Sequence, residues 1–203
     1  AGVGLYKLLQ KNSINTILDV GSGSGVHAEL MRNFGKKVVE IDLCTSVYAL
    51  NRKTSVESVI AFDFNSYKFE CKFDAVWASH ILEHQIDCGI FLKKIKNCCR
   101  EGGWIAITVP PLKNNIVGGH VSLWNPGLLL YHLVLAGVNC KNAELLSYGY
   151  NITVLVRNFS FEMPDLTYDA GDLTRLMPYL PSGMEEGIDG RLFQFIAKEG
   201  FYD

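Results

Sequence analysis

Between Thr16 and Gly25 the sequence reads TILDVGSGSG, an apolar run that stops in three glycines spaced two apart. A buried strand that ends this way and leads into the helix-like segment Val26–Phe34 has few folds open to it. Glycines permit a tight turn and a close approach of backbone to ligand, and the next helix offers free N–H groups at the same place. Open α/β sheets collect their ligands at such carboxyl ends of strands.

The rest of the chain repeats the alternation. Strands are predicted at Thr16–Val20, Lys37–Asp42, Ser58–Phe62, Phe73–Ser79 and Trp104–Val109. Helices are predicted at Val3–Lys11, Val26–Phe34, Thr45–Lys53, Cys88–Arg100 and from Asn125-Pro126 to Ala136. Strands that alternate with helices make a parallel sheet covered on both faces. Asn before Pro is an N-cap followed by proline in the first turn. Two further strand-like runs, Ala143–Ser147 and Ile152–Arg157, are separated only by a turn-rich Tyr148-Gly-Tyr-Asn, which demands an antiparallel hairpin. From Asn158 to Asp203 the chain carries three of its six prolines and the acidic, glycine-rich SGMEEGIDG. Its aromatic and leucine side chains would be costly to leave in water, so it reads as a lid or interface segment packed on the same domain. The expected division is a ligand-binding domain over residues 1–157 and this segment over 158–203.

At 203 residues, 48% hydrophobic and 20% charged, the chain has the composition of one globular domain with a full core. A formal charge of -2 and the lack of a basic stripe argue against nucleic acid as partner. The longest apolar stretch, Leu128–Val138, is interrupted by His132 and too short to span a bilayer, so no membrane insertion is expected. The first residues do not have the order of a signal peptide, and the absence of an initiator Met reads as trimming or a fragment. Six cysteines without a C-x-x-C pair read as free thiols in a reducing cytoplasm.

The glycine loop discriminates between cofactors. A nicotinamide fingerprint, G-x-G-x-x-G, needs a third glycine at position 26, where the chain has Val26. The spacing present, Asp19-Val-Gly-Ser-Gly-Ser-Gly25, is the D-x-G-x-G-x-G of S-adenosylmethionine (SAM) enzymes. Asp42, ending the second strand 21 residues after Gly21, can accept both hydroxyls of a ribose, with Leu43 beside it. Glu40, two residues earlier on the same face, is its only rival. Asp63 ends the third strand and can accept from an adenine amino group, with Phe64 against the ring; the plainer alternative is a turn aspartate before Asn65.

A fourth run, FDAVWASHILEH from Phe73 to His84, completes a resemblance. TILDVGSGSG, VVEIDLC, FDF, FDAVWASHILEH and GGWIAITVPP together resemble the ordered motifs of class I SAM-dependent methyltransferases. They are most similar to the small-molecule branch with ubiquinone-type and bacterial sugar methyltransferases. The match runs from about Ile14 to Arg157. The resemblance implies a Rossmann-like α/β fold: seven strands in the order 3-2-1-4-5-7-6, strand 7 antiparallel. It further implies that Asp19, Gly21, Ser22, Gly23 and Gly25 surround the methionine moiety, Asp42 holds the ribose and Asp63 reads the adenine. Ser79 and His80 would lie under the methionine end.

His80-Ile-Leu-Glu83-His84 is also H-x-x-E-H, an inverted zinc-protease signature. Zinc there requires both histidines one turn apart on a helix and a third ligand downstream, whereas His80 falls at a strand-to-helix junction, so no metal is expected. Methyl transfer to a hydroxyl needs a base, and five histidines are available. His120, in the glycine-rich loop Val117–Asn125 beyond the fifth strand, is the first candidate, and His84 the second. His27 could touch the carboxylate of SAM, and His132 reads as a packed helix residue.

Methyltransferases of base amino groups carry Asn/Asp-Pro-Pro-aromatic after strand 4, where this chain has Ser79-His-Ile-Leu82. A small-molecule acceptor remains, with O-methylation favoured by the histidines. Lys113, Arg157, Arg175 and Arg191 are candidates for an acceptor phosphate or carboxylate, and Tyr148, Tyr150 and Tyr168 for a sugar-like group. A non-catalytic SAM-fold scaffold and a nicotinamide-dependent oxidoreductase are the competing readings. A homodimer stays open through residues 158–203.

Overall fold

The computed structural model describes residues 1–52 and 59–184. Its strands are β1 (Thr16–Val20), β2 (Lys37–Asp42), β3 (Val59–Ala61), β4 (Phe73–Ser79), β5 (Cys99–Val109), β6 (Glu144–Tyr148) and β7 (Asn151–Arg157). The helices are α1 (Gly2–Leu9), α2 (Val26–Asn33), α3 (Val47–Leu50), α4 (Cys88–Cys98), α5 (Pro126–Leu135) and α6 (Asp172–Leu176). The strands form one sheet in the order β3-β2-β1-β4-β5-β7-β6. Pairings among β3, β2, β1, β4 and β5 are parallel, and β7 is antiparallel to both β5 and β6. The order implied by the resemblance is the order observed.

Successive strand residues point to opposite faces, and both faces are buried. On one, Ile17, Ala75, Trp77, Ala106 and Leu155 meet Leu5, Leu8 and Leu9 of α1. On the other, Leu18, Val76, Ile105, Ile107 and Val154 belong to a core that includes Phe91 and Leu92 of α4 and Leu129 and Leu133 of α5. Asn125 caps α5, its side chain accepting from the N–H of Leu128 at 2.8 Å with Pro126 in the first turn.

Several boundaries differ from expectation. Helix α4 stops at Cys98 and β5 begins at Cys99, well before Trp104. The register passes from Phe73 opposite Cys99 to Ala75 opposite Trp104, so extra residues of β5 are accommodated in an irregularity. Gly103 makes it feasible, because a Cβ there would sit 2.7 Å from the Asp74 carbonyl oxygen. Helix α3 is a single turn capped by Ser46, and β3 covers only Val59–Ala61. Lys53 and Ser58, the outer limits predicted for these elements, lie outside the described residues.

Residues 158–184 pack on the same domain, with Leu176, Leu180 and Met184 joining the core of α4 and α5. Asn158 fastens the segment by donating to the carbonyls of Lys96, Cys99 and Arg100. The N–H of Cys140 donates to the Tyr179 carbonyl at 2.9 Å. These anchors lie where β5 begins and β7 ends, at the opposite end of the sheet from the glycine loop. The predicted apolar run Leu192–Ala197 and Arg191 lie outside the described residues. Among the described residues, no helix is long and apolar enough to cross a membrane.

Candidate functional site

At the carboxyl end of β1 the chain turns through Gly21, Gly23 and Gly25, at φ of 73°, 52° and 79°. This left-handed region favours glycine, and at Gly21 a Cβ would also crowd Ile81 at 3.1 Å. Asp42 holds the loop from the end of β2: its Oδ2 accepts from Gly23 N–H at 2.9 Å and its Oδ1 from Cys44 N–H at 2.6 Å. Glu40, its rival, is fully buried and committed to Arg32 at 2.6 Å and to Arg52. Arg52 also donates to the Ser22 hydroxyl and the Gly23 carbonyl, both at 3.1 Å. No spacing rule points to Arg52 in the sequence; its role follows from the burial of Glu40.

Two buried polar atoms beside this loop have no hydrogen-bond partner, Asp19 Oδ2 on β1 and Ser79 Oγ on β4. The strands are adjacent, with Val20 opposite Ala78. Burial, reinforced by Glu40, pushes the Asp19 carboxyl up to about 8. His27 is on α2, where its Nδ1 accepts from Trp77 Nε1–H at 3.2 Å and burial lowers its imidazole to about 4. It is therefore neutral at pH 7, which weakens it as a partner for a carboxylate.

Asp63 accepts from the N–H of Asn65 at 3.1 Å and the hydroxyl of Ser66 at 2.7 Å, a turn arrangement. Phe64, expected against an adenine ring, is instead in the core, 5.3 Å from the Phe91 ring centroid. Phe62 and Leu43 are the exposed apolar residues there. They flank Asp42: Leu43 follows it, and Phe62 N–H donates to its carbonyl at 3.1 Å.

Beyond β4, His80 adopts φ of 54° and its ring lies between two partners. Nε2 is 2.9 Å from Asn151 Oδ1, and Nδ1 is 3.3 Å from Glu83 Oε1. Contact with this carboxylate raises the pKa of His80. Glu83 is fully buried in a single 3₁₀ turn, Leu82–His84. The loop between β5 and α5 is stitched to this turn: Val121 and Ser122 N–H donate to the Glu83 carbonyl at 2.9 and 3.3 Å. His84 Nδ1 meets the Gly119 carbonyl at 2.8 Å, and the His84 and His120 rings stand edge to face at 4.9 Å. A cavity of about 290 Å³ opens beside them, lined by Pro110, Lys113, His120, Trp124 and Tyr150 among others.

Residues 18–107 match the family model of a methyltransferase domain. Over that stretch the chain is similar to methyltransferase domains. Over 97 residues it is 30% identical to the ubiquinone biosynthesis O-methyltransferase of Paraburkholderia phytofirmans, covering 44% of this chain and 42% of that one. The enzyme of the same name from Chelativorans sp. is 28% identical over 122 residues, 54% of this chain and 48% of its own. The chain thus spans less than half the length of these curated relatives. A SAM-dependent methyltransferase from Archaeoglobus fulgidus matches with a TM-score of 0.63 at 14% identity, over 77% of this chain and 93% of that one. The 1,6-didemethyltoxoflavin-N1-methyltransferase of Burkholderia thailandensis, solved with 1,6-didemethyltoxoflavin and S-adenosylhomocysteine, matches at 0.62 and 18% identity, over 76% of each chain. At these identities the structural likeness is one of fold.

Around the cavity the acceptor candidates named from the sequence separate. Tyr150, in the two-residue β6–β7 turn, lines the cavity, and Lys113 lies over its ring at 4.3 Å. Tyr148 is structural, its hydroxyl accepting from Gly4 N–H at 2.9 Å and bonding Thr153 Oγ1 at 3.0 Å. Arg157 donates to the Gly102 carbonyl at 2.6 Å and covers Trp104, and Arg175 pairs with Asp172 at 3.1 Å. Of the four cations named from sequence, Lys113 alone among the described residues lines the cavity. His132 packs against Trp124 on α5, with ring centroids 5.1 Å apart.

Proposed function

We propose that the chain binds SAM at the carboxyl ends of β1, β2 and β4 and transfers its methyl group to a polar small molecule. The observation that carries this reading is the pair of orphaned buried atoms, Asp19 Oδ2 and Ser79 Oγ, beside a glycine loop clamped by Asp42. A buried polar atom without a partner costs free energy that a polar ligand recovers. The ammonium and carboxylate of a methionine moiety supply donor and acceptor for that pair, and Asp42 retains lone pairs for ribose hydroxyls. Leu43 and Phe62, exposed on either side of Asp42, offer apolar contact to a purine; Asp63 offers it an acceptor.

When bound, SAM supplies an electrophilic methyl on a sulfonium, transferred in line as one C–S bond breaks and one bond to the acceptor forms. Rate then depends on holding acceptor and methyl in register. The cavity beyond β5 is of a size for a small molecule, with Tyr150 and Trp124 as walls and Lys113 for an anionic group. His120 takes the proton of an acceptor hydroxyl, with His84 second in line. These two imidazoles support O-methylation over N- or C-methylation, as do the two sequence relatives named, both O-methyltransferases, although the Burkholderia thailandensis structure is of an N1-methyltransferase. The six free thiols fit a reducing cytoplasm.

Calorimetric titration with S-adenosylhomocysteine (SAH), with NADH in parallel, tests the reading without an acceptor. Micromolar SAH binding that is lost in Asp42→Ala is the expected result. Binding of NADH with no response to SAH by the folded protein would overturn it.

A further inference from the structure

We propose that Glu83, His84 and His120 bind one divalent cation of the imidazole-preferring class, zinc being the best fit, and that it ties the β4–α4 turn to the β5–α5 loop. The argument is one of donors and acceptors. Glu83 is fully buried, and neither of its carboxylate oxygens has a hydrogen-bond partner. His80 Nδ1 lies 3.3 Å from Oε1 and compensates that oxygen in part, while Oε2 has no partner. The Gly119 carbonyl, 2.8 Å from His84 Nδ1, can only accept, so Nδ1 carries the proton and Nε2 of the neutral ring presents a lone pair. That lone pair lies 4.0 Å from Glu83 Oε1. The ligand atoms of Glu83, His84 and His120 all lie within 4.8 Å of one another.

A cation would satisfy the orphaned Glu83 carboxylate together with the lone pairs of two imidazoles. A histidine whose second nitrogen donates to a backbone carbonyl is also the arrangement that fixes a metal-binding imidazole in the right tautomer. The backbone brings these groups together without a metal, through the bonds from Val121 and Ser122 to the Glu83 carbonyl. Gly119, at φ of 79°, suits glycine, and a Cβ there would crowd His84 Nδ1 at 3.0 Å. Tetrahedral zinc with bonds near 2.1 Å places its donors about 3.4 Å apart, so the cluster closes by roughly one ångström on binding. His84, more than a third exposed, and the loop-borne His120 can supply that movement by side-chain rotation. Two imidazoles and one carboxylate disfavour calcium and magnesium, which take oxygen ligands.

The site differs from the protease pattern that H-x-x-E-H suggests. His80, bridging Asn151 and Glu83, is not among the three converging ligands, and the third ligand, His120, lies 36 residues beyond His84 on another loop. Because His120 also lines the cavity, the fourth position of the cation is open to that side. A bound cation would occupy the His120 lone pair and so compete with the role of His120 as base in the metal-free protein. This last consequence rests on the methyltransferase reading; the binding does not.

The test uses chelator-stripped, tag-free protein without SAM or acceptor. Zn²⁺ is titrated against a chromophoric chelator, and Co²⁺ is added to a second sample and followed by visible absorption. The expected result is one equivalent bound, with affinity falling at least tenfold in His84→Ala and in His120→Ala at unchanged circular dichroism. Glu83→Gln should match them if it folds, and the two histidine variants decide the question if it does not. Saturable binding that is absent, or equal in the His84→Ala/His120→Ala double variant, would overturn the site. SAH titration of the same stripped sample separates that failure from a failure of the cofactor reading.

Discussion

Glu40 and Asp42 stand two residues apart on β2 and hold the same glycine loop by different routes. Asp42 reaches it directly through Gly23 N–H, while the buried Glu40 orients Arg52, which grips Ser22 and the Gly23 carbonyl. The loop is thus fixed from both its donor and its acceptor side before any ligand arrives.

Arg52→Met should raise the SAH dissociation constant about tenfold, or about 1.4 kcal/mol. It also leaves Glu40 buried with Arg32 alone, so the melting temperature should fall. Calorimetry and thermal unfolding of one preparation read both. Unchanged affinity would reduce Arg52 to a structural ion pair.

Asp19 makes ligand binding pH-dependent. Its carboxyl, raised to about 8, is protonated in the free protein at neutral pH, whereas a ligand ammonium favours the carboxylate. SAH affinity should therefore rise from pH 6 to 8 with release of a proton, read from calorimetry in buffers of different ionisation enthalpy. For the unliganded fold the sign is opposite: stability from this group is fully present below pH 3.8 and is lost as pH rises towards 8. Asp19→Asn should flatten both dependences.

Asp74 titrates the other way. Burial alone would raise its pKa, but N–H groups of Thr16 and Asn15 and the Arg100 side chain outweigh that and hold the carboxyl at about 2. The stability it contributes is present above pH 3.8 and is lost as pH falls towards 2. Asp74→Asn should cost about 1–2 kcal/mol at pH 7 and progressively less in acid, measured by urea unfolding.

His120→Ala should leave SAH affinity unchanged and lower turnover at least about tenfold once an acceptor is in hand, in line with a lost proton-transfer group. Equal turnover would remove His120 from the chemistry.

The parallel strands and the hairpin were legible in the sequence because apolar runs, glycines and prolines mark them by local rules. The start of β5 was not: Glu101-Gly-Gly103 reads as a helix cap, yet Gly103 is there to pass the Asp74 carbonyl. Asp42 was separable from Glu40 only once burial was known. Phe64 looked like the purine contact from its place beside Asp63, but whether it or Phe62 points inward depends on how the chain leaves the short β3. The gathering of Glu83, His84 and His120 depends on the β5–α5 loop folding back, a long-range event with no local signature.

The β6–β7 turn has a further consequence. Only Gly149 and Tyr150 separate the paired residues Tyr148 and Asn151, so Tyr150 borders the cavity from a hairpin tip whose register is set by the strands below it. Lengthening or swapping that tip would reshape one wall while leaving the β5–β7 ladder and the glycine loop untouched. On the proposed function, acceptor preference can therefore drift through that tip alone, without a new fold being needed.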